Sequence, residues 1–473
     1  MSKDLAQMTI SELAPMLRQG DISPVDITKS LFKRIDDFEG QINAYIEHDK
    51  DKIMNLSKQA EQDIQAGNYK GNLHGIPLAL KDILYFKGEK VTMGSKIHEN
   101  FIPDYDATVI TKLKEAGVVF SGKLNMHEYA WGANTTNPHF GPCRNPWNTE
   151  KIPGGSSGGS GAAVAADMTI ASLGTDTGGS IRIPASACGI VGLKPTHGRV
   201  SKYGCFPLAW SLDHIGPMTK SVEDAAIMLD YIAGYDVKDP TTVDIPKGNY
   251  HDLLSTDIKG KIIGINEEYF FKNVDSSVEK HVRKAILELE SLGAKIEEVK
   301  IPALQYSEYA EMITIISEAS TIHYENLIAR EHDFGDDVRF LLKLGQLPSA
   351  VDYLQAQQIR KQMTKDFAHI FKKVDALISP TLPFSPPNIG EDKVIINHNE
   401  GMFLDHVIRF TGPGNISGLP AISIPCGLHQ GLPVGMQIMG PAFKEENILN
   451  IAYAFEQTNP LLGQKPNLEK AKI

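Results

Sequence analysis

Residues 154–163 read GGSSGGSGAA. These ten positions hold five glycines, three serines, two alanines and no charge. Four readings compete. A flexible linker would join two folded units. Here the run enters an alanine-rich helix pattern at AAVAADM (162–168), with core-like segments on both sides. A phosphate cradle of the P-loop kind ends in Gly-Lys-Ser/Thr, and this run holds no lysine. A dinucleotide fingerprint needs a strand directly before it, and PWNTEKIP (146–153) has two prolines and four polar residues. Gly155 to Gly159 also match GxSxG, the nucleophile-elbow pattern, which would make Ser157 the nucleophile. That pattern too requires the missing strand.

The fourth reading comes from a second cluster. TDTGGS (175–180) follows a strand pattern at Ile170–Leu173. The backbone amides of Thr177, Gly178, Gly179 and Ser180 can converge on one oxygen, as an oxyanion hole requires. A helix starting near Ser180 would add its dipole. The competing reading is a tight turn that uses glycine for positive φ. A serine nucleophile needs a base, and none of the 15 histidines stands out. Lys81 ends the apolar run GIPLAL (75–80), which would carry it toward the core. Desolvation there lowers a lysine pKa and frees an amine to accept a proton. A snorkelling strand-end lysine is the alternative.

Outward from these clusters, the chain alternates. Residues 1–65 read as helices, with capping-box patterns at Thr9–Glu12 and Ser23–Asp26. Val25, Ile27, Leu31, Ile35 and Phe38 approximate one helical face. Residues 107–125 predict a helix closed near Gly117, then a strand. Residues 131–161 predict a long loop. A strand is expected over 259–266 and a helix over Val278–Leu292. Residues 303–375 are mostly helical and more polar. Strand patterns return at 375–380, 420–427 and 433–440, before a closing helix over 446–457. Strands on both sides of a helical insertion imply one α/β sheet built from distant segments.

Composition bounds the function. The 473 residues carry a net charge of −11, which argues against a nucleic-acid partner. Cys143, Cys188, Cys205 and Cys426 form no CxxC pair, so neither a zinc site nor another metal is expected. Cys188 reads as a packed thiol. The first residues, MSKDLAQMTISEL, lack a signal-peptide core, and no stretch approaches the roughly 18 apolar residues of a membrane span. The expectation is a soluble, cytoplasmic protein without cofactor.

Three segments together are more specific than any one. GIPLALKD, GGSSGGSGAAVAA and GTDTGGSIRIPASACGIVGLKPT, in this order, resemble the amidase signature family. The resemblance extends to FGPCRNPWN (140–148), HIGPMTKSVEDAA (214–226), PAISIPCG (420–427) and GLPVGMQIMGP (431–441). It implies a large mixed central β-sheet covered by helices on both faces. The implied organisation is an N-terminal helical segment (1–65), a catalytic core (66–300), a helical insertion shaping the substrate pocket (301–375) and a C-terminal part completing the same core (376–473).

The resemblance also implies a Ser–Ser–Lys triad. Ser180 would be the nucleophile, Ser156 the proton relay beside a cis peptide, and Lys81 the base. Ser157 would hydrogen-bond the triad. Asp176 and Arg182 read as a structural pair holding the nucleophile loop, ahead of a role in binding substrate. Met126, His127, Tyr129 and Trp131 would shape an acyl or aryl pocket or pack the core.

Hydrolysis of a small-molecule amide, through an acyl-enzyme, is the expected activity. A free-standing amidase is the first reading, with a homodimer left open. The alternative is the glutaminase component of a tRNA-dependent amidotransferase, which would need partner subunits. The glutamine site of that component is expected to offer an arginine and an acid. VRFLLKLGQL (338–347) lacks an arginine at its middle, and HVIRFTGPGN (406–415) lacks an acid just before FTGPGN. The tyrosine pair expected upstream of ITIISEAS (313–320) is missing too. An inactive scaffold on the same fold is the alternative of another class, and the intact Lys81, Ser156 and Ser180 argue against it.

Overall fold

The computed structural model of the chain describes residues 4–459 and 463–468. The extreme ends of the first and last sequence segments therefore lie outside the described residues, at 1–3 and 469–473, as do 460–462. Both N-terminal capping boxes form. Thr9 and Glu12 close the start of helix Ile10–Gln19, and Ser23 and Asp26 that of Pro24–Ile42. Ile27, Leu31, Ile35 and Phe38 are the buried stripe of the second helix.

Eleven strands form one mixed sheet. They are β1 (Tyr45–Glu47), β2 (Pro77–Lys81), β3 (Val119–Leu124), β4 (Ala171–Asp176), β5 (Val191–Lys194) and β6 (His214–Thr219), followed by β7 (Ile262–Ile265), β8 (Lys295–Glu298), β9 (Ala376–Pro380), β10 (Ala421–His429) and β11 (Leu432–Met439). Their spatial order is β1-β3-β2-β4-β6-β5-β10-β11-β9-β7-β8. β2 runs parallel to β3 and β4, and β7 runs parallel to β8 and β9. The remaining pairs are antiparallel. β2, β4, β5, β6, β9 and β11 are buried at every residue, which requires cover on both faces. Both sheet edges are short, and β8 is charged as well (KIEE), features that discourage edge-to-edge pairing.

Several elements differ from the sequence reading. β1 lies inside the first 65 residues, where the pattern predicts only helices. β5, β6 and β8 escape that reading: β5 and β8 have four residues each, and β6 carries Pro217. The helix expected from 162 begins at Gly158, so the glycine run itself is helical in its second half. Within the expected loop 131–161, Thr136–Asn137 pairs with Gly141–Pro142. The helix after TDTGGS begins at Arg182 rather than near Ser180.

The segment between β8 and β9 is built of helices, including Ser307–Ile322, Asp336–Leu344 and Ala350–Ile370. The first of these brings Glu311 against Gly178, beside TDTGGS.

Candidate active site

Topology places the site. β2 and β4 are parallel neighbours with Leu80 opposite Leu173, so both strands end on the same side of the sheet. That end carries Lys81, the last residue of β2, and the turn that follows Asp176, the last of β4. Ligand sites in α/β sheets lie at the carboxyl ends of parallel strands.

Lys81 is fully buried. Its Nζ lies 2.7 Å from Ser156 Oγ and 2.7 Å from Thr175 Oγ1. Burial lowers its pKa from 10.5 to about 7, against smaller opposing effects of Cys205, Asp176 and Asp213. An ammonium whose side-chain partners are two hydroxyls lacks a counter-ion, so the neutral amine competes with it near neutral pH.

The glycine run shapes the backbone around Ser156. The Gly155–Ser156 peptide is cis. Within 154–161 only Gly154 has positive φ, at 79°. The other glycines are required by crowding. A Cβ on Gly155 would sit 2.8 Å from the Ala133 carbonyl carbon, and one on Gly159 would overlap the Asn125 and Ala44 carbonyl oxygens. Ser157 ties the run to the 175–180 turn. Its amide donates to Ser180 O at 3.3 Å, its hydroxyl to Thr175 O at 3.2 Å, and it accepts from the Thr175 amide at 3.3 Å. His127 N donates to Ser156 O at 3.0 Å.

Ser180 is 8% exposed, and its hydroxyl forms no hydrogen bond among the described residues. The amides of Thr177, Gly178, Gly179 and Ser180 donate to no protein acceptor among those residues. Buried amides are almost always paired. Four unpaired in a row, beside a free hydroxyl, form a surface able to bind an oxyanion. The turn is pinned from outside. Thr177 Oγ1 donates to Asp213 Oδ1 at 2.6 Å, and Thr411 Oγ1 donates to Gly178 O at 2.6 Å. Gly179 has φ of 134°, a conformation only glycine adopts readily.

Asp176 and Arg182 are both fully buried and form a two-point ion pair at 2.9 and 3.0 Å. Arg182 Nη1 also donates to Thr411 O (2.8 Å) and Gln437 Oε1 (2.6 Å), and Nη2 to Asn415 Oδ1 (2.6 Å). All five guanidinium hydrogens are thus used. Asp176 also accepts from the amides of Ile181 and Arg182, closing the start of the helix. Burial, the largest single influence, would raise the Asp176 carboxyl, but the charge and hydrogen bonds of Arg182, with Lys194 and Asn415, together outweigh it and hold the group at about 2.

The four pocket candidates, Met126, His127, Tyr129 and Trp131, are buried. Tyr129 packs 4.2 Å from the His323 ring, and its hydroxyl lies 2.6 Å from His98 Nδ1. His127 Nε2 contacts Asp337 Oδ2 at 2.8 Å. Cys188 is a buried thiol that donates to Pro153 O at 3.4 Å.

A family model for amidases matches residues 26–449, most of the chain. The chain belongs to the amidase signature family. The A subunit of the glutamyl-tRNA(Gln) amidotransferase of Thermodesulfovibrio yellowstonii is 42% identical over 489 aligned positions, covering 98% of this chain and 100% of that relative. The structure of the corresponding A subunit from Thermotoga maritima superposes with a TM-score of 0.82 at 35% identity, covering 100% of this chain and 99% of that one. A chain of a vestigial protein complex, described in connection with the origins of an s-triazine catabolic enzyme, superposes with a TM-score of 0.91 at 33% identity. The match covers 95% of this chain and 98% of that one.

Within this amidase fold, several site residues escape the sequence reading. Thr175 meets Lys81, Asp213, Thr411 and Asn415 brace the 175–180 turn, and Gln437 braces it through Arg182. Glu311, on helix Ser307–Ile322, is 1% exposed and lies against the same turn with neither carboxylate oxygen bonded. Hydrogen bonding carries no periodicity, so no local pattern marks these residues. Among the described residues, no helix is long and apolar enough to cross a membrane, and no cluster of side chains is placed to hold a metal ion.

Proposed function

We propose that the chain cleaves the C–N bond of a carboxamide through an acyl-enzyme, with Ser180 as nucleophile, Ser156 as relay and Lys81 as base. The observation that carries this reading is the 2.7 Å contact of buried Lys81 with Ser156, next to a turn of free amides ending in the unbonded Ser180 hydroxyl. Neutral Lys81 takes the Ser156 proton as Ser156 takes that of Ser180. The Ser180 oxygen attacks the carbonyl carbon, and the oxyanion is received by the amides of 177–180. The relay in reverse protonates the departing nitrogen. A water attacks the Ser180 ester by the same route, giving the carboxylic acid and free enzyme.

The curated relatives favour glutamine as the amide and a multi-subunit setting. They carry the amidotransferase name at over 40% identity along the full chain. The second reading, a free-standing amidase, is favoured by one feature. Ile408 and Arg409, not an acid, precede Phe410, and Arg409 is turned to the Tyr269 and Lys272 carbonyls.

A fluorophosphonate should label Ser180 covalently, and Ser180→Ala should lose both the label and all amide turnover; retained turnover overturns the assignment. Ammonia release from glutamine that needs partner subunits selects the first setting. Turnover of other amides by the chain alone selects the second.

A further inference from the structure

Three acids stand at the nucleophile turn, and Glu311 differs from Asp176 and Asp213, which are hydrogen-bonded to Arg182 and Thr177 respectively. Its two carboxylate oxygens have no hydrogen-bond partner in a side chain that is 1% exposed. A Cβ on Gly178 would stand 2.8 Å from Oε1, and one on Gly412 would overlap the carboxyl. The group is therefore wedged between these two glycines. Gly178 is two residues from Ser180, so their Cα atoms are at most about 7.6 Å apart.

No neighbour among the described residues satisfies this acid. Arg182 is the nearest cation by electrostatic influence, yet its five hydrogens are taken by Asp176, Thr411, Gln437 and Asn415. Glu308, one turn earlier on the helix, is a like charge and already lies 3.5 Å from Arg409. The free amides of residues 177–180 do not donate to it either. Buried polar groups are paired almost without exception, and an unpaired one calls for an explanation. An apolar side chain would fill the same space without that penalty.

We infer that Glu311 is a substrate-recognition residue that accepts N–H hydrogens carried by the substrate a few bonds from its scissile carbonyl. Two free oxygens side by side suit a nitrogen bearing two or three hydrogens better than a hydroxyl, which offers one. The shared chemistry is an N–H donor, and its source is either an ammonium, as in an amino-acid amide, or the NH2 of a second carboxamide. Burial, the largest influence, drives the Glu311 carboxyl well above the usual range, toward the uncharged form. An uncharged acid pairs with a carboxamide in both directions. It ionises only when an ammonium supplies the opposite charge. This inference rests on Ser180 being the nucleophile.

The test uses three fluorophosphonates of equal chain length, ending in ammonium, carboxamide and isopropyl, applied to the full chain. At least one N–H-ended probe should label Ser180 about 100-fold faster than the isopropyl probe. Glu311→Leu should bring that ratio close to one. Glu311→Gln, a closer isostere should the leucine variant fail to fold, separates the sources. It keeps a carboxamide preference and loses an ammonium preference. Equal labelling by all three probes in the native chain, or a ratio that survives in Glu311→Leu, overturns the role of Glu311. Failure of every probe to label Ser180 is a different result: it defeats the catalytic reading, and this inference with it.

Discussion

Asp176 and Glu311 are two fully buried carboxyls set against one turn, and they end in opposite states. Asp176 accepts from a guanidinium, an amide side chain and two backbone amides, and is held at about 2. Glu311 has no hydrogen-bond partner among the described residues and is driven well above the usual carboxylate range by burial. Burial is common to both, so it does not set the charge; the partner does. Lys81 falls on the Glu311 side of this contrast, with hydroxyls in place of a counter-ion.

The largest effect expected from the contrast is chemical. Lys81→Arg keeps the cation but cannot yield its proton, and should lower kcat/KM on the order of 10³-fold at every pH. In the native chain the proposed mechanism requires kcat/KM to rise as pH rises through about 7, because it uses the neutral Lys81 amine as the base. A flat profile between pH 5 and 9 would remove Lys81 from the uncharged group.

Stability comes next. Asp176→Asn leaves Arg182 buried without its counter-ion, which costs about 3–5 kcal/mol, read from the urea midpoint. The native group contributes about 2 kcal/mol through its lowered pKa. Because the folded value lies below the unfolded 3.8, that contribution is full above about pH 4 and is lost as pH falls toward 2. The asparagine variant should lack this slope.

Glu311→Gln makes the opposite case. Its folded value is raised, so the native carboxyl weakens the fold as pH climbs above the ordinary 4.5. The glutamine variant should be within about 1 kcal/mol of the native chain at neutral pH, or more stable. A loss as large as that of Asp176→Asn would mean that Glu311 has a structural partner after all.

The smallest effect concerns Thr175. Thr175→Val removes one acceptor that favours the charged amine, so the acid limb of the pH profile should move down, by less than about one pH unit.

Much of the fold is legible in the sequence because its signals are local. Capping boxes, a 3.6-residue stripe and apolar runs bounded by glycine mark the helices and the longer strands. The strands that escape, β1, β5 and β8, have three or four residues each, too few to show a period, and β6 is interrupted by a proline. The site divides the same way. Lys81, Ser156 and Ser180 sit in glycine-marked motifs that carry the family resemblance. Glu311 lies in a helix without a glycine, and Thr411, Asn415 and Gln437 meet Arg182 from more than 220 residues away. Contacts of that range depend on the completed sheet, so the linear chain does not display them.

The guanidinium of Arg182 also sets an order of events during synthesis. Its hydrogen bond to Gln437 spans 255 residues. At about 5–20 residues per second, a ribosome takes roughly 13–50 s to travel from one to the other. During that interval the loop 175–182 is already made but lacks its anchor on β11. A chain still on the ribosome therefore holds Arg182, and the turn it braces, without their bond to β11, and that bracing is complete only once Gln437 has been made.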